Sequence, residues 1–90
     1  MKRTHIIVSG KVQGVFYRDF ARKNAEKLGI SGFVRNLPDG TVEVVGEGEE
    51  DKLNLFVREC KRGSLTSFVK NADVKFEKPT GEFDGFEIRF

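Results

Sequence analysis

The sequence predicts an α+β sandwich, with two helices packed on one face of a four- to five-stranded, largely antiparallel sheet. Three observations carry that reading. At 90 residues the chain has room for one core, so residues 1–90 are expected to form a single domain. Segments with the alternation of half-buried strands bracket two stretches that carry the apolar stripe of a helix. Their order along the chain is strand, helix, strand, strand, helix, strand.

Each element follows from its residues. Thr4–Ser9 is rich in β-branched side chains and stops at Gly10, a first strand. From Tyr17 to Leu28 the positions Tyr17, Phe20, Ala21, Ala25 and Leu28 make a helical stripe, with Arg22, Lys23, Glu26 and Lys27 off it. Gly29 suits the left-handed residue after a helix, and Ile30 can pack back on the last turn. Ile30–Asn36 is a second strand. Leu37-Pro38-Asp39-Gly40 turns the chain, since Pro38 fixes φ and Gly40 suits the last position. Thr41–Glu47 alternates, with Val42 and Val44 on one face and Glu43 and Glu47 on the other. A second helix is expected over Glu49–Arg62, its acidic start complementing the helix dipole and Gly63 ending it. Ala72–Glu77 and Phe83–Phe90 supply the last strands.

Composition narrows the function. With 38% hydrophobic and 33% charged residues the chain is globular, neither disordered nor membrane-spanning. Ile6-Ile7-Val8 is far shorter than a signal-peptide core, so a cytoplasmic address is expected, with no membrane partner. One cysteine excludes an internal disulfide and a multi-cysteine zinc site. A net charge of +2 does not argue for nucleic acid. That sum hides an asymmetry. Residues 1–35 carry eight Lys/Arg against two Asp/Glu, while residues 36–90 carry eight against twelve. The basic first third favours an anionic ligand, although a solvated basic helix face explains the charge equally well.

The element order is the split βαβ, ferredoxin-like arrangement. In it the first two strands run parallel, joined by a right-handed crossover helix, with the third strand between them. Parallel strands end on the same edge of the sheet, so the loop leaving the first strand and the end of the second at Asn36 should share that edge.

Both segments are unusual. Gly10-Lys11-Val12-Gln13-Gly14-Val15-Phe16-Tyr17-Arg18 joins a strand to a helix start. Its glycines let successive N–H groups curl inward around an anion, and the helix adds free N–H groups and a positive dipole end. Arg18 can lay its planar fork on two oxygens of a phosphate or carboxylate. The segment is not a Walker loop, because it lacks the Gly-Lys-Ser/Thr ending. Read bare, it is also compatible with a plain turn bearing an exposed arginine. In Gly32-Phe33-Val34-Arg35-Asn36, Asn36 can cap its own turn, or its amide can both donate to and accept from a water.

At these two stretches the sequence resembles the acylphosphatase family. The pattern Gly10-x-Val12-Gln13-Gly14-Val15-x-x-Arg18 is followed by Gly32-x-Val34-Arg35-Asn36-x-x-Asp39-Gly40-x-Val42-Glu43. The likeness runs over nearly the whole chain, to Phe86-x-Ile88-Arg89-Phe90. It implies hydrolysis of the carboxyl-phosphate anhydride of acyl phosphates to carboxylate and inorganic phosphate. Arg18 would bind the phosphate as a catalytic residue and Asn36 would position the attacking water. The backbone of Gly10, Lys11, Val12, Gln13, Gly14, Val15, Phe16 and Tyr17 would cradle the phosphoryl oxygens. Tyr17 and Phe33 stand where many members have Phe and Trp, and Gly63–Phe68 lacks the usual proline-rich pattern.

The partners then expected are a small-molecule acyl phosphate and inorganic phosphate as product and inhibitor. No metal, organic cofactor or nucleic acid is expected, and a monomer is. His5 reads as a strand residue, Cys60 as a core thiol on the second helix, and Asp19 as a dipole partner in the first helical turn. The competing class is a noncatalytic ferredoxin-like binding module for an anionic ligand or RNA. Against RNA, the strands lack clustered aromatics of the kind that stack bases. A third option, an accessory domain serving a partner's chemistry, fits the short length less well.

Overall fold

A computed structural model describes residues 1–90. The elements are β1 (Lys2–Lys11), α1 (Tyr17–Leu28), β2 (Ser31–Asn36), β3 (Val42–Gly48), α2 (Glu50–Arg62), β4 (Phe68–Glu77) and β5 (Phe86–Arg89). The strands form one sheet in the order β4-β1-β3-β2-β5. β1 pairs antiparallel with β3 and β4, β2 pairs antiparallel with β3, and β5 lies parallel to β2. β1 and β2 are thus parallel with β3 between them, as the split βαβ order requires.

The core forms where the apolar faces meet. Ile6 and Val8 of β1, Val34 of β2 and Val42 and Val44 of β3 point to the helices and are fully buried. Ala21 and Ala25 of α1 and Leu53, Phe56 and Cys60 of α2 close over them. α1 ends as its residues dictate: Gly29 adopts φ 71° and its N–H turns back to the carbonyls of Ala25 and Glu26. The turn after β2 closes with Gly40 N–H donating to Leu37 O at 3.2 Å, capped by Asp39, whose Oδ1 accepts from Thr41 N–H and Oγ1–H.

Several boundaries, three of them near the candidate site or in the last strands, and one side chain depart from the sequence reading. β1 runs on to Lys11, so Gly10 and Lys11 are strand residues paired with β4 rather than the start of the loop. A register shift between Ser9 and Gly10 accompanies this, and Gly10 sits at φ 119° against Phe68 O, where a Cβ would clash. β4 correspondingly begins at Phe68, not Ala72, and β5 begins at Phe86, not Phe83. Glu47 is 1% exposed instead of wet, because the segment before β5 folds over it. Its carboxylate accepts from Arg3 Nη1, Thr80 N–H and Oγ1–H, and Gly81 N–H at 2.8–3.0 Å.

Candidate active site

The shared edge of the sheet gathers the residues singled out by sequence. Asn36 ends β2 opposite Val42, which in turn faces Val8 of β1. Between β1 and α1 the chain turns through Gly14 at φ 71° and Phe16 at φ 62°. Phe16 is the helix N-cap, yet no side chain caps α1, which leaves first-turn N–H groups for an anion.

Gln13 joins the two halves. Its Nε2 donates to Leu37 O and to Thr41 O, both at 2.8 Å, and so ties the loop after β1 to the turn after β2. On the opposite flank Thr66 Oγ1 donates to Val15 O at 2.7 Å and anchors the loop to the segment after α2. Neither side-chain role is visible in a linear pattern, since each joins segments far apart in sequence.

Arg18 projects from the first turn of α1 beside a cavity of about 250 Å³ lined by Val12, Gly14, Phe16, Tyr17, Ile88 and Phe90, among others. Its guanidinium carbon lies 4.7 Å from the centre of the Phe90 ring, and Nη1 reaches Arg89 O at 3.4 Å. The parallel docking of β5 on β2 thus brings Ile88 and Phe90 to this wall, a pairing that no local sequence signal announces. Asn36 caps no turn, a task that Asp39 performs. Its Oδ1 is buried without a hydrogen-bond partner, and such an atom costs free energy unless something supplies a proton to it.

Of the expected cradle residues, Gly14, Phe16 and the buried Val12 and Tyr17 line the Arg18 cavity. Gln13 and Val15 lie outside its lining and are held by the hydrogen bonds just described. Tyr17 already belongs to α1, and its Oη donates to Cys60 O at 2.7 Å; burial pushes its hydroxyl far above the ordinary phenol range. Burial also pushes the Cys60 thiol up to about 12, which fits a core residue and not a nucleophile. Asp19 lines the same cavity, but a hydrogen bond from Lys23, joined by Arg22, holds its carboxyl below the usual range. Its charge is thereby spent on its own helix. His5 is a strand residue whose Nε2 meets Glu43 Oε2 at 2.7 Å. No three His, Cys, Asp or Glu side chains gather as metal ligands, and no helix is long and apolar enough to cross a membrane.

A basic fork and an uncapped helix start stand beside a glycine turn on a ferredoxin-like frame, and Asn36, outside the lining of the Arg18 cavity, ends β2 at the same sheet edge. The acylphosphatase family model matches residues 4–88, and the chain belongs to that family of hydrolases. An acylphosphatase from Rubrobacter xylanophilus is 50% identical over 98% of this chain and 80% of its own length. One from Methylococcus capsulatus is 46% identical, over 98% and 96% of the two chains. The crystal structure of acylphosphatase from Bacillus subtilis superposes with a TM-score of 0.95 at 38% identity and covers all of both chains.

Proposed function

We propose that this protein hydrolyses acyl phosphates to carboxylate and inorganic phosphate, with Arg18 and the loop backbone binding the phosphoryl group and Asn36 orienting the water. The observation that supports it most is the tie through Gln13. One side chain holds the Arg18 loop in register with the turn that follows Asn36, and Asn36 keeps an unpartnered Oδ1.

The chemistry needs little more. The water oxygen attacks phosphorus while the anhydride P–O bond breaks, and its electron pair leaves on the carboxylate oxygen. A carboxylate is a good leaving group, so no protein acid is required there. Phosphoryl transfer then rests on positioning and charge stabilisation. Arg18 and the N–H groups meet charge on the phosphoryl oxygens, where preorganised donors act most strongly. Asn36 accepts from the water through Oδ1 and lowers the entropic cost of in-line attack. The water's proton passes to a phosphate oxygen of the substrate. With a guanidinium and backbone donors serving the phosphoryl charge, this route uses no metal.

Purified protein assayed with acetyl phosphate, with and without chelator, tests the reading. Hydrolysis unaffected by chelator and competitively inhibited by inorganic phosphate is expected. Arg18→Ala should lose roughly 10²–10³-fold in kcat/KM, the scale of removing one charge-stabilising donor. Asn36→Ala should lower kcat far more than it weakens phosphate inhibition. Undiminished turnover in Asn36→Ala would remove its role, and no hydrolysis by the wild type would remove the function.

A further inference from the structure

Next to the Arg18 cavity lies a second, larger groove of about 600 Å³, between the first turns of α1 and the end of α2. Phe16, Phe20 and Leu65 form its apolar surface, with Lys23, Arg62 and Thr66 at its rim. Phe16 lines both hollows. From the groove, and resting on the acyl phosphate reading above, we infer that it receives the acyl group, with Phe16 and Leu65 selecting apolar acyl chains larger than acetyl.

The first ground is the conformation of Phe16. It is the one residue other than glycine with a positive φ, 62°, and the residue is 79% exposed. An L-residue in that region is strained, and strain of this kind collects at functional sites. Here the strained backbone holds an aromatic ring out between the two hollows instead of burying it. Leu65, fully exposed, faces the same groove.

The second ground is the direction of the reaction. In-line displacement sends the leaving carboxylate away from the water. Along the active edge the order of strands is β4, β1, β3, β2, so the segment leading into β4 and Asn36 at the end of β2 flank the β1 loop from opposite sides. A water at Asn36 therefore directs the acyl group toward residues 63–67. Thr66 fixes that segment to the loop through Val15 O.

Size and charge specify the occupant. The Arg18 cavity, at about 250 Å³, falls below the roughly 300–1,000 Å³ of sites that enclose whole ligands, whereas the groove lies within it. Its charges are already matched, Lys23 to Asp19 at 3.1 Å and Arg62 to Glu59 at 2.7 Å, so an apolar group fits better than a second anion.

The test compares kcat/KM for acetyl, butanoyl and benzoyl phosphate in the wild type, Leu65→Ser and Phe16→Gly. Leu65 is fully exposed, so Leu65→Ser folds; Phe16→Gly removes the ring and relieves the positive φ together. The wild type should favour benzoyl over acetyl phosphate by about tenfold or more, the discrimination that apolar pockets give. Leu65→Ser should lose about fivefold of that preference through KM, with acetyl phosphate unchanged, and Phe16→Gly should lose most of it. Equal effects on all three substrates, or a ratio indifferent to both variants, overturn the subsite while leaving hydrolysis intact. A Leu65-dependent dimer by light scattering with that ratio unmoved overturns it in favour of a second copy in the groove. No hydrolysis of acetyl phosphate by the wild type overturns the subsite together with the function beneath it.

Discussion

Gln13 Nε2 stands 2.8 Å from both Leu37 O and Thr41 O, a forked contact that registers the loop of Arg18 against the turn beyond Asn36. Gln13→Ala should leave both carbonyls without that donor, at a cost of about 1–3 kcal/mol in unfolding free energy. It should also lower kcat by about tenfold or more, since small displacements of positioned groups cost rate steeply. Denaturant melts and steady-state kinetics on one preparation separate the two effects. A stability loss with unchanged kcat would make the fork purely structural.

Two loop glycines should respond differently to alanine. At Gly14 the surroundings are open and only the positive φ opposes a side chain, so Gly14→Ala should cost about 1–2 kcal/mol. At Gly10 the same strain adds to a clash with backbone atoms of Phe68 and Lys70, which cannot swing aside as a side-chain tip would. Gly10→Ala should therefore destabilise clearly more and loosen the β1–β4 pairing, visible as faster amide exchange at Val69.

Acid stability should depend on Glu47. Burial opposes its charge, but hydrogen bonds from Thr80 N–H, Arg3 and Gly81 N–H outweigh that and hold the carboxyl at about 2, against an ordinary 4.5. A folded-state value below the unfolded one stabilises fully above about pH 5, and the benefit fades as pH falls through 4.5 toward 2. The difference amounts to about 3 kcal/mol. Glu47→Gln should melt well below the wild type at pH 7, and thermal scans should show the gap closing toward pH 2. A gap independent of pH would refute the charge-based account.

Cys60 should resist alkylation. Its thiol is buried and raised to about 12, so almost no thiolate exists at pH 8. Iodoacetamide should leave the native protein unmodified by mass spectrometry and add one equivalent in denaturant.

Much of this architecture is legible in the residues. α1 runs over Tyr17–Leu28 as its stripe requires, because an apolar periodicity and a terminal glycine act within a few turns of chain. Segments 68–71 and 83–85 were harder. Phe68 and Asn71 are exposed and lie on an edge strand, so no alternation marks them, and the register shift at Gly10 that fixes their pairing is a two-strand property. Glu47 alternates as a solvent residue should, and only the return of Thr80 and Gly81 makes it a buried carboxylate. For the candidate site, the places of Arg18 at the start of α1 and of Asn36 at the end of β2 are readable from motif and topology. The fork from Gln13, the anchor from Thr66 and the wall from Ile88 and Phe90 join segments remote in sequence, so they require the folded chain.

The parallel docking of β5 also sets when the cavity beside Arg18 can form. During translation Arg18 and Asn36 emerge from the ribosome long before Phe90, which stacks against the guanidinium. A nascent polypeptide thus owns both polar groups while the Ile88 and Phe90 wall beside Arg18 is still unmade. On the proposed reading, activity then awaits the docking of β5 and does not grow in step with the chain.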